Sequence, residues 1–231
     1  MDIILGRANA NKVMNTLLIM ATEKFNVRVA DIQGGSLRNA IPRESFVTVT
    51  VPEKYADALV AYVPEFEDVV KEQFAAVEPE MSITIVPAEM PVKVIDKETI
   101  ANLLEAVAKY PNGVIAMSKD FEGTVETSSN LAIVKLVDGQ IMTASLQRSL
   151  VDASKDELAA KMRKLLENCG AKAESSGSYP GWKPNINSVI YNTMKKVYEE
   201  KYGKTPKTMV IHAGLECGIL GSKYPNWDMV S

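Results

Sequence analysis

The order of predicted elements repeats along this chain, and the repeat constrains the fold more than any single motif does. Residues 9–86 are predicted to run helix, strand, strand, helix, strand, and residues 96–175 follow the same order. Pro87–Pro91 separates the two halves. The duplication is one of pattern and not of sequence identity. The predicted class is α/β (α+β): each half forms a small antiparallel sheet with helices packed on one face, and the two sheets could fuse.

Alternating apolar residues predict strands in both halves. In chain order they are Val27–Gln33, Ser45–Val51, Met81–Val86, Val114–Ser118, the two arms of a hairpin within Glu126–Ser149, and Ala171–Ser175. The hairpin is expected to turn at Asp138 and Gly139, because an Asp-Gly pair readily adopts the left-handed conformations of a tight turn.

Apolar residues at helical spacing predict five helices. These are Asn9–Lys24, Pro52 to about Val77, Asp96 to about Tyr110, Ser154–Asn168 and Asn187–Tyr202. Either Asn9 or Asn11 is expected to cap the first helix. Pro64 lies inside the second helix and is expected to kink or split it, because proline lacks a backbone donor.

The composition is that of an ordinary globular protein and disfavours several classes. The 231 residues carry a net charge of −3 with no basic stripe, so no nucleic-acid partner is expected. No apolar run reaches the roughly 20 residues of a membrane helix, and residues 1–20 do not form a signal peptide. Cys169 and Cys217 provide no disulfide framework, so we expect a cytoplasmic protein with free thiols.

Metal-binding patterns are missing from the sequence. The chain has one histidine, His212, and two distant cysteines, with no C-x-x-C or H-E-x-x-H motif. No catalytic metal site is therefore expected within this chain. No phosphate-binding loop, dinucleotide fingerprint or G-x-S-x-G nucleophile motif is present either.

Two segments have the composition of ligand-binding loops. Met209–Gly218 begins as a short apolar strand and continues into a polar turn bracketed by Gly214 and Gly218. Such a turn presents groups to a ligand, or it ends a strand with His212 as a satisfied core residue. Ser176–Asn187 is rich in Pro, Gly and Ser and is either a linker or a binding loop.

Seven motifs together indicate a family. They are Gly6–Lys12, Gly34–Arg43, Pro111–Ile115, Arg148–Asp152, Tyr179–Trp182, Ile211–Gly218 and Asp228–Ser231. In their order and spacing, the chain resembles the bacterial aminoacyl-histidine dipeptidases, which are carnosinase-like zinc peptidases. The resemblance covers essentially all residues.

The resemblance implies a domain organisation. Residues 1–183 look like the lid, or dimerisation, domain of such an enzyme, and residues 184–231 like part of the second segment of its zinc catalytic domain. The family's H-x-D and H-S-P-D-E metal-binding motifs are absent. The resemblance therefore implies zinc in a longer parent protein and none in this chain. The parent would be a homodimer that hydrolyses Xaa-His dipeptides by attack of a metal-activated water.

Three residues match positions that the family uses for substrate. Asn39 would donate a hydrogen bond to the carbonyl oxygen as it gains charge, and Arg148 would bind the C-terminal carboxylate of the dipeptide with its planar fork. Gly214 would bring backbone close to the substrate. From the residues alone, Asn39 could instead cap a turn, and Arg148 could form a surface ion pair.

A second function stays open from the sequence. The chain could be a dimerisation or peptide-binding module without catalytic activity. The coding sequence on either side of this stretch would distinguish a part of a zinc dipeptidase from a module without catalytic activity.

Overall fold

The computed structural model describes residues 2–182, 185, 187–210 and 216–230. The helices are α1 (Ala10–Phe25), α2 (Ala56–Phe74), α3 (Lys97–Lys109), α4 (Asp152–Asn168), α5 (Val189–Tyr202) and α6 (Glu216–Lys223). The strands are β1 (Arg28–Gly34), β2 (Ser45–Thr50), β3 (Gly113–Met117), β4 (Val125–Val137) and β5 (Gln140–Ser149). Short 3-10 turns lie at Asp2–Leu5 and Glu53–Tyr55.

The strands of both halves form one sheet, so the predicted mixed α/β class is confirmed. The strand order is β2-β1-β4-β3, and β5 also pairs with β4. β1 and β2 are antiparallel, with Gly34 opposite Ser45. β1 meets β4 only over a short stretch, where Gly34 lies opposite Val134. The hairpin between β4 and β5 turns at Asp138 and Gly139, both with positive φ, as the sequence predicted.

Asparagine side chains bond the backbone of β4 just before its pairing with β1. The Leu131 nitrogen donates to Oδ1 of Asn112 at 2.9 Å. The Leu131 oxygen accepts from Nδ2 of Asn9 at 2.9 Å. Nδ2 of Asn11 reaches the Ala132 oxygen at 3.5 Å. These amides satisfy buried peptide groups, which would otherwise cost free energy on folding.

Helix α1 begins as the sequence predicted. The Oδ1 atom of Asn9 accepts hydrogen bonds from the backbone nitrogens of Asn11 and Lys12, so Asn9 is the N-cap. The apolar side of α1 packs against α2 in a buried cluster. The buried members of this cluster are Leu17, Ala21, Val27, Leu59, Val63, Phe66 and Val70.

Helix α2 runs unbroken through Pro64, so the predicted split does not occur. Proline in a helix interior loses one backbone hydrogen bond and crowds the preceding turn. Leu59, Val63, Phe66 and Val70 are buried on this helix. Burial of their apolar surface offsets that loss, because each large side chain contributes roughly 1.5–3 kcal/mol.

Met81–Val86 does not form the predicted strand. Met81, Ile83 and Ile85 pack against the α1–α2 cluster and alternate with exposed residues, so the alternation is real. Lys71 holds the pKa of the Glu67 carboxyl in α2 below its usual value, and a hydrogen bond from the Ile83 backbone adds to this effect. The segment therefore packs against α1 and α2, and the backbone of Ile83 bonds to the Glu67 carboxyl and not to a neighbouring strand.

Ala171–Ser175 is the second strand prediction that is wrong. Gly170 has a φ of 77°, and the Ala171 nitrogen donates back to the Leu166 oxygen at 3.0 Å. The Arg163 guanidinium donates to the Ala173 oxygen at 3.2 Å. This chain segment folds back on the end of α4, which uses the backbone groups that a strand would need.

The described residues fall into two compact units. The first comprises the chain up to Gly113, Ser129–Leu146 and Met162–Ala173. The second comprises Val114–Ser128, Gln147–Lys161 and the chain from Glu174 onward. The boundary between residues 183 and 184 stays a prediction. Of the helices among the described residues, none is long and apolar enough to cross a membrane.

Candidate substrate-binding site

Asn39 lies in an exposed turn of the loop between β1 and β2. The turn is closed by a backbone hydrogen bond of 3.2 Å from the Ala40 nitrogen to the Leu37 oxygen. Among the described residues, the Asn39 amide has no hydrogen-bond partner. Within the described part of the chain, its side chain therefore forms no hydrogen bond that would cap this turn.

The loop that carries Asn39 is closed by a backbone hydrogen bond beside the ends of β1 and β2 and is also bonded to the first residue of α1. The Gly35 nitrogen donates to the Glu44 oxygen at 3.3 Å, and the Ala10 nitrogen donates to the Pro42 oxygen at 3.0 Å. Gly35 has a φ of +70°, and a Cβ atom there would lie 1.9 Å from the Ala132 oxygen. Only glycine fits this close approach of loop to strand.

Asn130 of β4 holds the Asn39 turn from the side of the sheet. Its Nδ2 atom lies 2.7 Å from the Ala40 oxygen and 3.5 Å from the Arg38 oxygen. Asn130 is 7% exposed, and its Oδ1 atom has no partner among the described residues. The sequence analysis missed this residue, although an asparagine between Ser129 and an apolar strand run was a visible signal.

Arg148 lies at the end of β5, and its side chain is half-buried. No carboxylate of the described residues forms an ion pair with its guanidinium. The nearby carboxylates bond elsewhere: Asp152 pairs with Lys155 at 2.7 Å, and Glu126 accepts a hydrogen bond of 3.4 Å from Ser154. The surface ion pair that the sequence left open is therefore not formed within the described part of the chain.

Asp152, the first residue of α4, forms a hydrogen bond to the Tyr179–Trp182 segment, the YPGW motif. It accepts a 2.9 Å hydrogen bond from the Gly181 nitrogen, and Lys155 also donates to the Tyr179 oxygen at 2.7 Å. The Lys155 hydrogen bond lowers the pKa of the Asp152 carboxyl, partial burial opposes this, and the Gly181 amide lowers it further. Two of the family-like motifs thus meet just after the strand that carries Arg148.

The same motif contacts helix α6. A Cβ atom on Gly218 would lie 2.8 Å from the Pro180 oxygen, so glycine permits this approach. Residues 211–215, which include His212 and Gly214, lie outside the described residues. They form the middle of the stretch Met209–Gly218 that was predicted to be a strand and a turn. Glu216, expected within that turn, is the first residue of α6.

The described residues do not supply a zinc site. They contain no group of three or more His, Cys, Asp or Glu side chains placed to hold a metal ion. Structural and catalytic zinc sites use three or four such donors. The one histidine of the chain, His212, lies outside the described residues.

Comparisons with known proteins show that this chain is similar to parts of peptidases. Residues 2–78, which contain α1, β1, β2 and α2, match the peptidase dimerisation domain. Cytosol non-specific dipeptidase of Escherichia coli is 36% identical over 233 residues, which cover 100% of this chain and 47% of that protein. Over its whole length, this chain is therefore similar to about half of a dipeptidase.

A solved structure extends the family likeness to the fold. The crystal structure of aminoacylhistidine dipeptidase from Vibrio alginolyticus superposes with a TM-score of 0.93 at 37% identity. The match covers 99% of this chain and 46% of that one. The present chain thus spans about half the length of the two dipeptidases that it matches. Of the two candidate binding residues in the described part, Asn39 lies within the dimerisation-domain match and Arg148 outside it.

Proposed function

We propose that this chain is the dimerisation and substrate-binding part of a longer dipeptidase that hydrolyses Xaa-His dipeptides in the cytosol. The observation that carries the proposal is Arg148, a half-buried guanidinium without a carboxylate partner among the described residues of a chain that is 36% identical to a dipeptidase. Water still reaches part of this guanidinium, and a ligand carboxylate would give it the charged partner that its position lacks.

The chemistry of each candidate residue fits one part of a dipeptide. The Arg148 guanidinium forms two parallel hydrogen bonds to a carboxylate, which makes it selective for a free C-terminus. The exposed Asn39 amide donates to the carbonyl oxygen of the scissile bond, where negative charge develops during attack. Gly214 stays a third candidate, for close backbone approach to the substrate.

The metal and the partner subunit belong to the proposal for the longer protein. A zinc ion that serves hydrolysis would be held outside the described residues, and no step assigned to Asn39 or Arg148 runs through it. The match to a dimerisation domain supports a homodimer in which residues 2–78 contribute to assembly.

Comparison of two proteins tests this proposal. The full-length protein and the 231-residue chain are purified and assayed for Xaa-His hydrolysis and zinc content. Activity and zinc in the full-length protein alone support the proposal. Absence of dipeptide hydrolysis by the full-length protein would favour a non-catalytic dimerisation or peptide-binding module instead.

A further inference from the structure

Asn130 is a buried residue whose amide has hydrogen-bond partners for its nitrogen and none described for its oxygen. It lies in the long strand β4, is 7% exposed, and its Oδ1 atom has no hydrogen-bond partner among the described residues. An unsatisfied buried acceptor destabilises the folded state. The described hydrogen bonds of this side chain are therefore those that its nitrogen donates.

The other end of the same amide makes contacts that are specific to the Asn39 turn. Nδ2 carries two N–H groups, and the two carbonyl oxygens within reach are those of Arg38 and Ala40, on either side of Asn39. These contacts fix the backbone on both sides of Asn39, while the Asn39 side chain itself has no described partner.

We propose that Asn130 is a positioning residue that holds the backbone around Asn39 so that the Asn39 amide points at the substrate. This inference rests on the proposed function, because it requires that Asn39 contacts substrate. The role is indirect: Asn130 acts through the loop backbone, and its buried amide does not itself reach a ligand.

Replacement of Asn130 should affect the activity of the enzyme more than its stability. Asn130→Ala removes the donor and the unsatisfied acceptor together, so we expect little change in the unfolding midpoint. We expect kcat to fall roughly 10- to 100-fold, because small misplacement of a catalytic donor has effects of that size. KM should change less than about twofold, because the lost interaction forms in the transition state.

A matched control exists in the same compact unit. Asn15 is also buried, at 6% exposed, and also donates to a backbone oxygen, that of Leu104 at 3.1 Å, but it does not contact the loop. Asn15→Ala should lower the unfolding midpoint and leave kcat within about twofold of the wild-type value. A general loss of folding would affect both variants alike.

The deciding experiment is a double-mutant cycle in the full-length enzyme with Asn39→Ala, Asn130→Ala and both together. If Asn130 acts through Asn39, Asn39→Ala lowers kcat by roughly 100-fold, and adding Asn130→Ala lowers it no further. Additive losses, or no loss from Asn130→Ala alone, would overturn the positioning role. No loss from Asn39→Ala would overturn the proposed role of Asn39, and the positioning role with it.

A second variant covers the case in which Asn130→Ala does not fold. Asn130→Ser keeps a small polar side chain, as in the preceding Ser128 and Ser129, but is too short to span both carbonyl oxygens. Its loss of kcat should likewise disappear in the Asn39→Ala background. Trypsin cleavage after Arg38 in the folded variant should be faster than in the wild type, and unchanged cleavage would contradict the proposal.

Discussion

The backbone nitrogen of Gly181 donates a hydrogen bond of 2.9 Å to a carboxylate oxygen of Asp152, and the same oxygen accepts from Lys155 at 2.7 Å. A glycine in the YPGW motif and an aspartate just after the Arg148 strand are thereby joined. The bonds favour the charged carboxylate, and the pKa of Asp152 lies below its usual value, chiefly through Lys155.

This contact predicts a pH-dependent contribution to stability. A carboxyl whose pKa is depressed by folding stabilises the protein above its unfolded pKa of 3.8, and the contribution disappears as the pH falls through the folded value. Asp152→Asn should therefore lower the free energy of unfolding at neutral pH, by less than about 1 kcal/mol because the pair is partly exposed. Urea unfolding of both proteins from neutral pH down to about pH 2 measures this difference. A difference that persists at the lowest pH would contradict the assignment.

The Asn9 side chain caps α1 and also bonds to strand β4. We expect these two roles to make separate contributions to the free energy of unfolding. Asn9→Ala removes the helix cap and the hydrogen bond to the Leu131 oxygen, which should cost about 2–3 kcal/mol in unfolding free energy. Asn9→Ser keeps a cap acceptor but loses the hydrogen bonds to the Leu131 oxygen and to Oδ1 of Asn112, so it should cost about 1 kcal/mol less than Asn9→Ala. Denaturant unfolding of the two variants tests this order, and equal effects would mean that the cap contributes nothing.

Gly35 and Gly123 share the same positive φ of +70° but differ in surroundings. A Cβ atom at Gly123 meets nothing within 4 Å, so Gly123→Ala should cost about 1–2 kcal/mol from backbone strain alone. At Gly35 the Cβ atom collides with the Ala132 oxygen, and we expect Gly35→Ala to cost about 3–5 kcal/mol. Equal destabilisation of the two variants would show that the loop is not pressed against β4.

Local signals in the sequence predicted the local structure well. Asn9 satisfies backbone donors at the next turn, and the Asp138-Gly139 pair adopts the positive φ values of a tight hairpin turn. These effects act within a few residues, so the sequence order alone contains them.

The misses depend on contacts between distant residues. The alternation in Met81–Val86 correctly predicts which side chains are buried, but it does not say whether the neighbour is a strand or a helix pair. Asn130 resembles an ordinary polar interruption until the Arg38 and Ala40 carbonyl oxygens are seen beside it. Asn39 and Arg148 were identified by resemblance to a family, and their residue types alone also fitted a turn and an ion pair.

Discrimination between a dipeptide and its C-terminal amide tests the central claim most directly, because only the free carboxylate can bind the Arg148 fork. The full-length enzyme is assayed with an Xaa-His dipeptide and with its amide, as wild type, as Arg148→Gln and as the control Arg163→Gln, whose arginine donates to the Ala173 oxygen instead. We expect the wild type and the control to prefer the carboxylate by at least roughly 100-fold in kcat/KM, and Arg148→Gln to lose most of that preference. An Arg148→Gln enzyme that retains the full preference would contradict the account.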